Sequence, residues 1–390
     1  MQGDISRIMV EIAVRQALKN RSKQSFRRSL RTLVEYGEHF SSGPFQSRFF
    51  ILVQQMLRDE NHPYYLLAER AWAQVDKRYL EHFCLNVGYE SWTRGAAVIR
   101  ALEAELNCNI PWCLTIERTR PEGSALEEQH LYALMDQGMH MGIYTYFLVD
   151  CQLNAALLRR LAASHSSCAL VCITLDSRLT EDALSLLDDA TNVMLVPVLD
   201  GETFTSAPRM RQRHRLYGLC TSYASPGDAQ RFAQGGGLAC PGDPDCMLRF
   251  FFPAPGCSQE VCDAVDEELL RLKEHPLTAQ FPVELTRDLR RIDQIISTDD
   301  CALSVRHTGE FMLSWPESPT GLYAQTTSLE QLVAHLSAQR RMNDKSKRAL
   351  TCRYPSSSNT VESGGSISPG QRPFQLLRRL IPLKHLFNGR

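Results

Sequence analysis

Four carboxylates stand where short apolar runs end: Glu117 after "PWCLTI", Asp150 after "GIYTYFLV", Asp176 after "CALVCITL" and Asp200 after "NVMLVPVL". Acids placed together in this way have two chemistries open to them. Their hard oxygens can hold a divalent cation, or crowding can raise one carboxyl's pKa until it serves as a general acid. Aspartates in strand-to-helix turns also cap the helix that follows, and Asp200-Gly201 reads as a plain turn. Capping and turn formation are therefore the first roles expected of this group, and a cation or small-molecule site the second. Sulfur offers another cluster, Cys240, Cys246, Cys257 and Cys262, in "ACPGDPDCMLRFFFPAPGCSQEVC". Zinc sites usually pair ligands at C-x2–4-C, whereas a strand's length separates Cys246 from Cys257. These thiols read first as small buried hydrophobes and only second as metal ligands. The sequence contains no GxxxxGK[ST], HExxH or GxSxG, and its 11 histidines show no i,i+4 pair.

The elements that would position these residues change character along the chain. Residues 1–108 read as helical, in amphipathic stretches such as "ISRIMVEIAVRQALKN" and "YYLLAERAWAQVDKRYLEHF", with Pro63 suited to a first helical turn and Ser91 to an N-cap. From 109 to 298, short apolar runs alternate with helical patterns. The runs are "PWCLTIE", "GIYTYFLVD", "CALVCITLD", "NVMLVPVLD", "RLYGLCTSY" and "MLRFFFPAP". Runs that are apolar throughout belong to strands buried on both faces, as parallel sheets require. Strict alternation of strand and helix, with no early glycine-rich fingerprint, points to an α/β fold of barrel type. Residues 299–342 read as a hairpin through Thr308-Gly309 followed by the helix "SLEQLVAHLSAQRR". Residues 343–390 form a Ser/Gly/Pro-rich tail, expected to be disordered.

The run "YLEHFCLNVGYESWTRGAAVIRALEAELNCNIPWCLTIE", then "LMDQGMHMGIYTYFLV", then "CALVCITLDSRLTEDALSLLDDATNVMLVPV" is similar to radical SAM proteins, in the branch with a helical N-terminal extension and a SPASM-like C-terminal segment. The resemblance covers roughly residues 46–340 and lies in scaffold phrases rather than in a catalytic motif. It implies a partial parallel (β/α)6 TIM-like barrel. In that family CxxxCxxC after the first strand supplies thiolates to an iron–sulfur cluster. Here the loop reads "RTRPEGSALEEQH", Arg118 to His130, without a cysteine. The family's Gly-Gly-Glu-Pro turn is replaced by Val149-Asp150-Cys151-Gln152, and its Asn-Gly turn by Asp176-Ser177-Arg178. Cys301 matches the first ligand of the terminal segment, but "FMLSWPESP" lacks the cysteine expected downstream. No cluster- or cofactor-binding residue carries over.

The expectation is thus a radical-SAM-like scaffold that has lost its [4Fe–4S] and S-adenosylmethionine site and works as a non-catalytic binding or regulatory protein, with no cofactor. One alternative is a radical SAM enzyme with an atypical cluster, acting in peptide or cofactor modification and requiring both groups. Another is a metal-dependent hydrolase or lyase built on the carboxylates. A net charge of −1 gives no indication of nucleic-acid binding, and the 13 cysteines are scattered as in a reducing compartment. Without a signal-type segment or a membrane-length apolar run, a cytoplasmic location is expected. The tail ends in "FQLLRRLIPLKHLFNGR", where Phe374, Leu377, Arg378, Arg379 and Leu380 form a basic, apolar element suited to docking on a protein or peptide partner.

Overall fold

A computed structural model describes residues 2–19, 22–40, 50–51, 53–55, 57–60, 62–119, 125–199, 204–225, 227–228, 245–254, 256–274, 280–297, 303–313 and 318–338. Helices α1 (Gln2–Leu18), α2 (Lys23–Phe40), α3 (Pro63–Gln74) and α4 (Lys77–Cys84) come first. Pro63 stands at the start of α3, where its missing N–H costs no hydrogen bond. After α4 the backbone widens into π-helical turns over Leu85–Gly95 and tightens again into α5 (Ala96–Leu106). Ser91 therefore caps nothing. It is buried within the widened segment, where its hydroxyl meets the Thr145 hydroxyl at 2.7 Å.

The sheet begins with β1 (Cys113–Thr119), followed by α6 (Glu128–His140), β2 (Thr145–Asp150), α7 (Ala155–Ser164), β3 (Ala169–Leu175), α8 (Glu181–Leu186), β4 (Val193–Val198) and α9 (Ala207–Gln212). It continues with β5 (Gly218–Tyr223), β6 (Leu248–Pro253), α10 (Gln259–Glu274), β7 (Phe281–Glu284) and α11 (Leu285–Ile296). Last come β8 (Leu303–Val305), β9 (Glu310–Leu313), β10 (Ser318–Tyr323) and a helix over 329–338. Each of the six apolar runs holds a strand. The hairpin through Thr308-Gly309 is also present, with Gly309 at φ +89° where a side chain would be strained.

The strands form one ten-stranded sheet in the order β10-β9-β8-β1-β2-β3-β4-β5-β6-β7. Pairing from β8 through β1 to β7 is parallel, and β9 and β10 add antiparallel strands beyond β8. Among the described residues β7 and β10 each pair on one side, so the described sheet is not closed. What is established is a mixed α/β architecture around a large parallel sheet, in which the six expected strands stand in sequential parallel order. The sequence reading placed no strand at β7 or β10, because β7 is four residues long and β10 is largely exposed, so neither carries a continuous apolar run.

Register sets the two faces. Phe147 lies opposite Thr115 and Val171, and Val149 opposite Ile173. With side chains alternating along each strand, these residues share one face while Leu148, Cys172 and Leu195 share the other. Both faces are buried. One apolar core joins the strands to the N-terminal helices through Val14, Leu18, Tyr79 and Leu85. The amide of Asn86 ties the widened helix to the sheet by donating to Ser166 O and Cys168 O, at 2.8 and 2.9 Å.

That contact is closest at two glycines. A Cβ on Gly95 would run into the carbonyl of Gly142, and Gly142, at φ +92°, would run its own Cβ into the carbonyl of Gly95. Gly95→Ala is expected to cost about 1–3 kcal/mol, because backbone rather than a flexible side chain must move. Urea unfolding measures the cost, and a loss under about 0.5 kcal/mol, the range of ordinary surface substitutions, would contradict the packing described.

Candidate functional site

The acidic residues at the strand ends occupy separate local settings. Glu117 faces the hairpin, 3.3 Å from His307 Nδ1. Asp150 is buried; it accepts the Asn154 N–H at 3.2 Å and lies 3.6 Å from Arg118 Nε. Asp176 is also buried and accepts four hydrogen bonds, from the N–H and hydroxyl of both Thr205 and Ser206, at 2.5–3.2 Å. Asp200 lies outside the described residues. Among the described residues, no three His, Cys, Asp or Glu side chains are grouped as metal ligands.

Of the cysteine cluster, Cys246 is buried with its Sγ 3.1 Å from Leu248 O, and Cys257 and Cys262 stand Sγ to Sγ at 3.8 Å. Cys240 and Cys301 lie outside the described residues, as do Phe374, Leu377, Arg378, Arg379 and Leu380. No described helix is long and apolar enough to cross a membrane.

The concave chemistry of the fold lies elsewhere, between the sheet and α11. This helix, which the apolar-run reading passed over, lies against the sheet face that carries Phe147. Its signal was present as the helical spacing Leu285, Leu289, Ile292, Ile296. Glu284 caps its start by accepting the Arg287 N–H at 2.6 Å. Trp112 fixes its middle, donating its indole N–H to Leu289 O at 2.9 Å and its backbone N–H to Asp293 Oδ1 at 3.1 Å.

Two cavities remain beneath the helix. The upper one, about 440 Å³, lies among Val149, Ile173, Leu175, Val198 and Phe252 near the C-terminal strand ends and Leu285 of the helix, and reaches Trp112 and Cys113 at the start of β1. The lower one, about 410 Å³, lies toward the N-terminal strand ends, among Val171, Met194, Leu248, Phe250, Val283 and Ile292. Both fall within the roughly 300–1,000 Å³ of ligand pockets. Their linings are overwhelmingly apolar. Water in such a space finds few partners, so an apolar occupant gains from displacing it.

A charged network borders the lower cavity. Buried Lys273 donates to Asp288 Oδ2 at 2.5 Å, Arg291 Nη1 donates to Asp288 Oδ1 at 2.8 Å, and the Glu284 N–H donates to Asp288 Oδ2 at 2.8 Å. Arg291 also bonds Asp266, which Arg287 approaches at 3.3 Å. Burial alone would raise the Asp288 pKa, but Lys273 and Arg291, by charge and hydrogen bonding, outweigh it and hold the carboxyl below the usual range. Burial lifts Glu284 instead, against the hydrogen bonds it accepts from Arg287, Thr286 and Tyr223.

Fold and cavities together define an α/β protein with an open, largely parallel sheet and an apolar interior site under one amphipathic helix. No family model matches the sequence, and no curated protein matches it. The crystal structure of Streptococcus suis SuiB bound to S-adenosylmethionine is similar at a TM-score of 0.38 and 9% identity, over 57% of this chain and 65% of that one. This is a weak likeness that assigns no family.

The cofactors implied by the sequence resemblance can be tested against the donors present. A four-iron cluster needs several thiolates converging on it. Among the described residues, Cys113 and Cys151 line the upper cavity, and burial pushes the Cys113 thiol well above its ordinary pKa. These are two thiols, where the family motif supplies three.

Proposed function

We propose that this chain is a binding protein on a scaffold of radical SAM type, non-catalytic in itself, and that the upper cavity takes an apolar ligand. The scaffold half of this reading rests on the sequence phrases from residue 46 to 340 and on the sequential parallel order β1 to β7. The binding half rests on one observation: an apolar cavity of about 440 Å³ at the strand ends, where α/β proteins place their ligands. Its walls offer mainly dispersion contacts, with Arg290 and Asp293 as the charged residues among them. A site of this kind holds and presents a molecule, alone or beside an enzyme that acts on it.

The test uses 1-aminoanthracene, a neutral apolar dye that brightens when removed from water. One saturable site is expected. Val149→Lys, which sets an ammonium in the cavity wall, is expected to weaken dye binding by at least about tenfold, because a buried unpaired charge opposes an apolar ligand. Thermal unfolding of the variant controls for folding. Absence of dye binding to the native protein, or equal binding to Val149→Lys, would overturn the reading. Anaerobic treatment with iron and sulfide tests the non-catalytic half, since a stable brown cluster absorbing at about 400 nm would contradict it.

A further inference from the structure

We infer that Cys257 and Cys262 are a redox pair: a small-molecule disulfide converts the two thiols into one intrachain disulfide, which fastens the first turn of α10. The inference is independent of the cavities. Ser258 stands just before α10 and caps it, its Oγ accepting the Val261 N–H at 3.4 Å and its carbonyl the Cys262 N–H at 3.1 Å. Cys257 is therefore the residue before the cap, and Cys262 the fourth residue of the helix. Side chains at those two places pack on each other at helix starts, usually as a pair of hydrophobes. Here both are thiols, and their sulfurs stand 3.8 Å apart. A disulfide bond is about 2.05 Å long. The remaining closure is within reach of rotation about the two Cα–Cβ bonds, because the cap already holds the side chains against each other.

The two thiols are unequal. Cys262 is buried in a small core cluster with Tyr223, Phe251, Val265 and Leu269, whereas Cys257 is half-buried at its edge. An incoming disulfide therefore meets Cys257 first. The Cys257 thiolate attacks one sulfur, forms a mixed disulfide and expels one small thiolate; the Cys262 thiolate then attacks the Cys257 sulfur and expels the other. The pair gives up two electrons and two protons, and the small disulfide becomes two thiols. Burial first, and then the neighbouring Cys262 thiol, raise the Cys257 pKa. Little thiolate is present near neutral pH, so the exchange is slow. A reversible disulfide of this kind suits a reducing compartment, where such bonds are transient and redox-sensing. Further along α10, Lys273 and Asp266 bond Asp288 and Arg291 of α11. The helix that the disulfide fastens is thus tied to the one over the cavities.

Equilibration of the full-length protein with mixtures of reduced and oxidised glutathione tests the pair. Free thiols are then blocked, and the mass of the tryptic peptide 250–271, which contains no other cysteine, is measured. The expected product is that peptide unblocked and two hydrogens lighter, returned to the dithiol by dithiothreitol. In urea the same conversion is expected to need about tenfold more oxidised glutathione, because the unfolded chain no longer holds the thiols together. Cys262→Ser is expected to stop with glutathione bound to Cys257. In the oxidised protein, hydrogen exchange at the Val261 and Cys262 amides is expected to slow by about threefold. Two blockable thiols in every mixture, or glutathione retained on Cys257 of the native protein, would overturn the pair. So would an equal requirement for oxidised glutathione in urea, and unchanged amide exchange would overturn the fastening of α10. Should Cys262→Ser not fold, the titrations of the native and unfolded protein decide.

Discussion

Asp288→Ala is expected to destabilise the protein by about 3–5 kcal/mol, the cost of leaving buried charge without its partner. The carboxylate sits between Lys273 and Arg291 and also receives the Glu284 N–H. Its removal strands an ammonium that is 1% exposed. Denaturant unfolding measures the loss, and a change under about 1 kcal/mol would mean that the cation finds water or another partner. Replacing both members, Lys273→Met with Asp288→Leu, is expected to recover most of the stability, because no unpaired charge remains between them. Acid adds a second test. The folded-state pKa of Asp288 is depressed, so its contribution is present above the unfolded value of about 3.9 and is lost as pH falls through the lower folded value. Glu284 has the opposite sign. Its pKa is raised, so its contribution is present below the unfolded value of about 4.3 and is lost as pH rises through the folded value. Asp288→Asn should therefore flatten the fall in stability below about pH 4.

The second large effect belongs to Asp176. Its carboxylate joins the end of β3 to the Thr205-Ser206 segment that leads into α9. Asp176→Ala leaves those donors facing a buried void, and about 3 kcal/mol is expected from lost charge-assisted bonds and unsatisfied donors. Asp176→Asn should recover less than half, because an amide nitrogen then faces a donor. Urea unfolding measures both. A titration with Mn²⁺ beside it asks whether the carboxylate is a cation ligand, in which case binding would fall with the variant. A stability change within about 0.5 kcal/mol, the range of ordinary surface substitutions, would show that Asp176 does not hold the segment.

Some of this was open to reading from residues alone. "CALVCITL" and "NVMLVPVL" announce buried strands because a two-sided parallel strand must be apolar at every position. Asn154 and Thr180 likewise mark helix starts by residue type, and each accepts the backbone N–H three residues on. Glu117, Asp150 and Asp176 were legible as residues at strand ends, but their partners were not: His307, Arg118, Thr205 and Ser206 lie in other segments, and no local rule selects them. Ser91 misled because its helix does not begin there; Gly95 and Gly142 bring the widened turns against the sheet, and that approach is a tertiary fact.

By itself the sequence determined the kind and order of the strands β1 to β6 and of the helices between them, since these are written in periodicities a few residues long. Tertiary structure alone decided that the sheet stays open, that α11 lies against the face carrying Phe147, and that two apolar spaces remain beneath it. The reason is separation along the chain. Trp112 meets Leu289 across 177 residues and Asp293 across 181, so the walls of the cavity acquire their meaning only when distant segments pack.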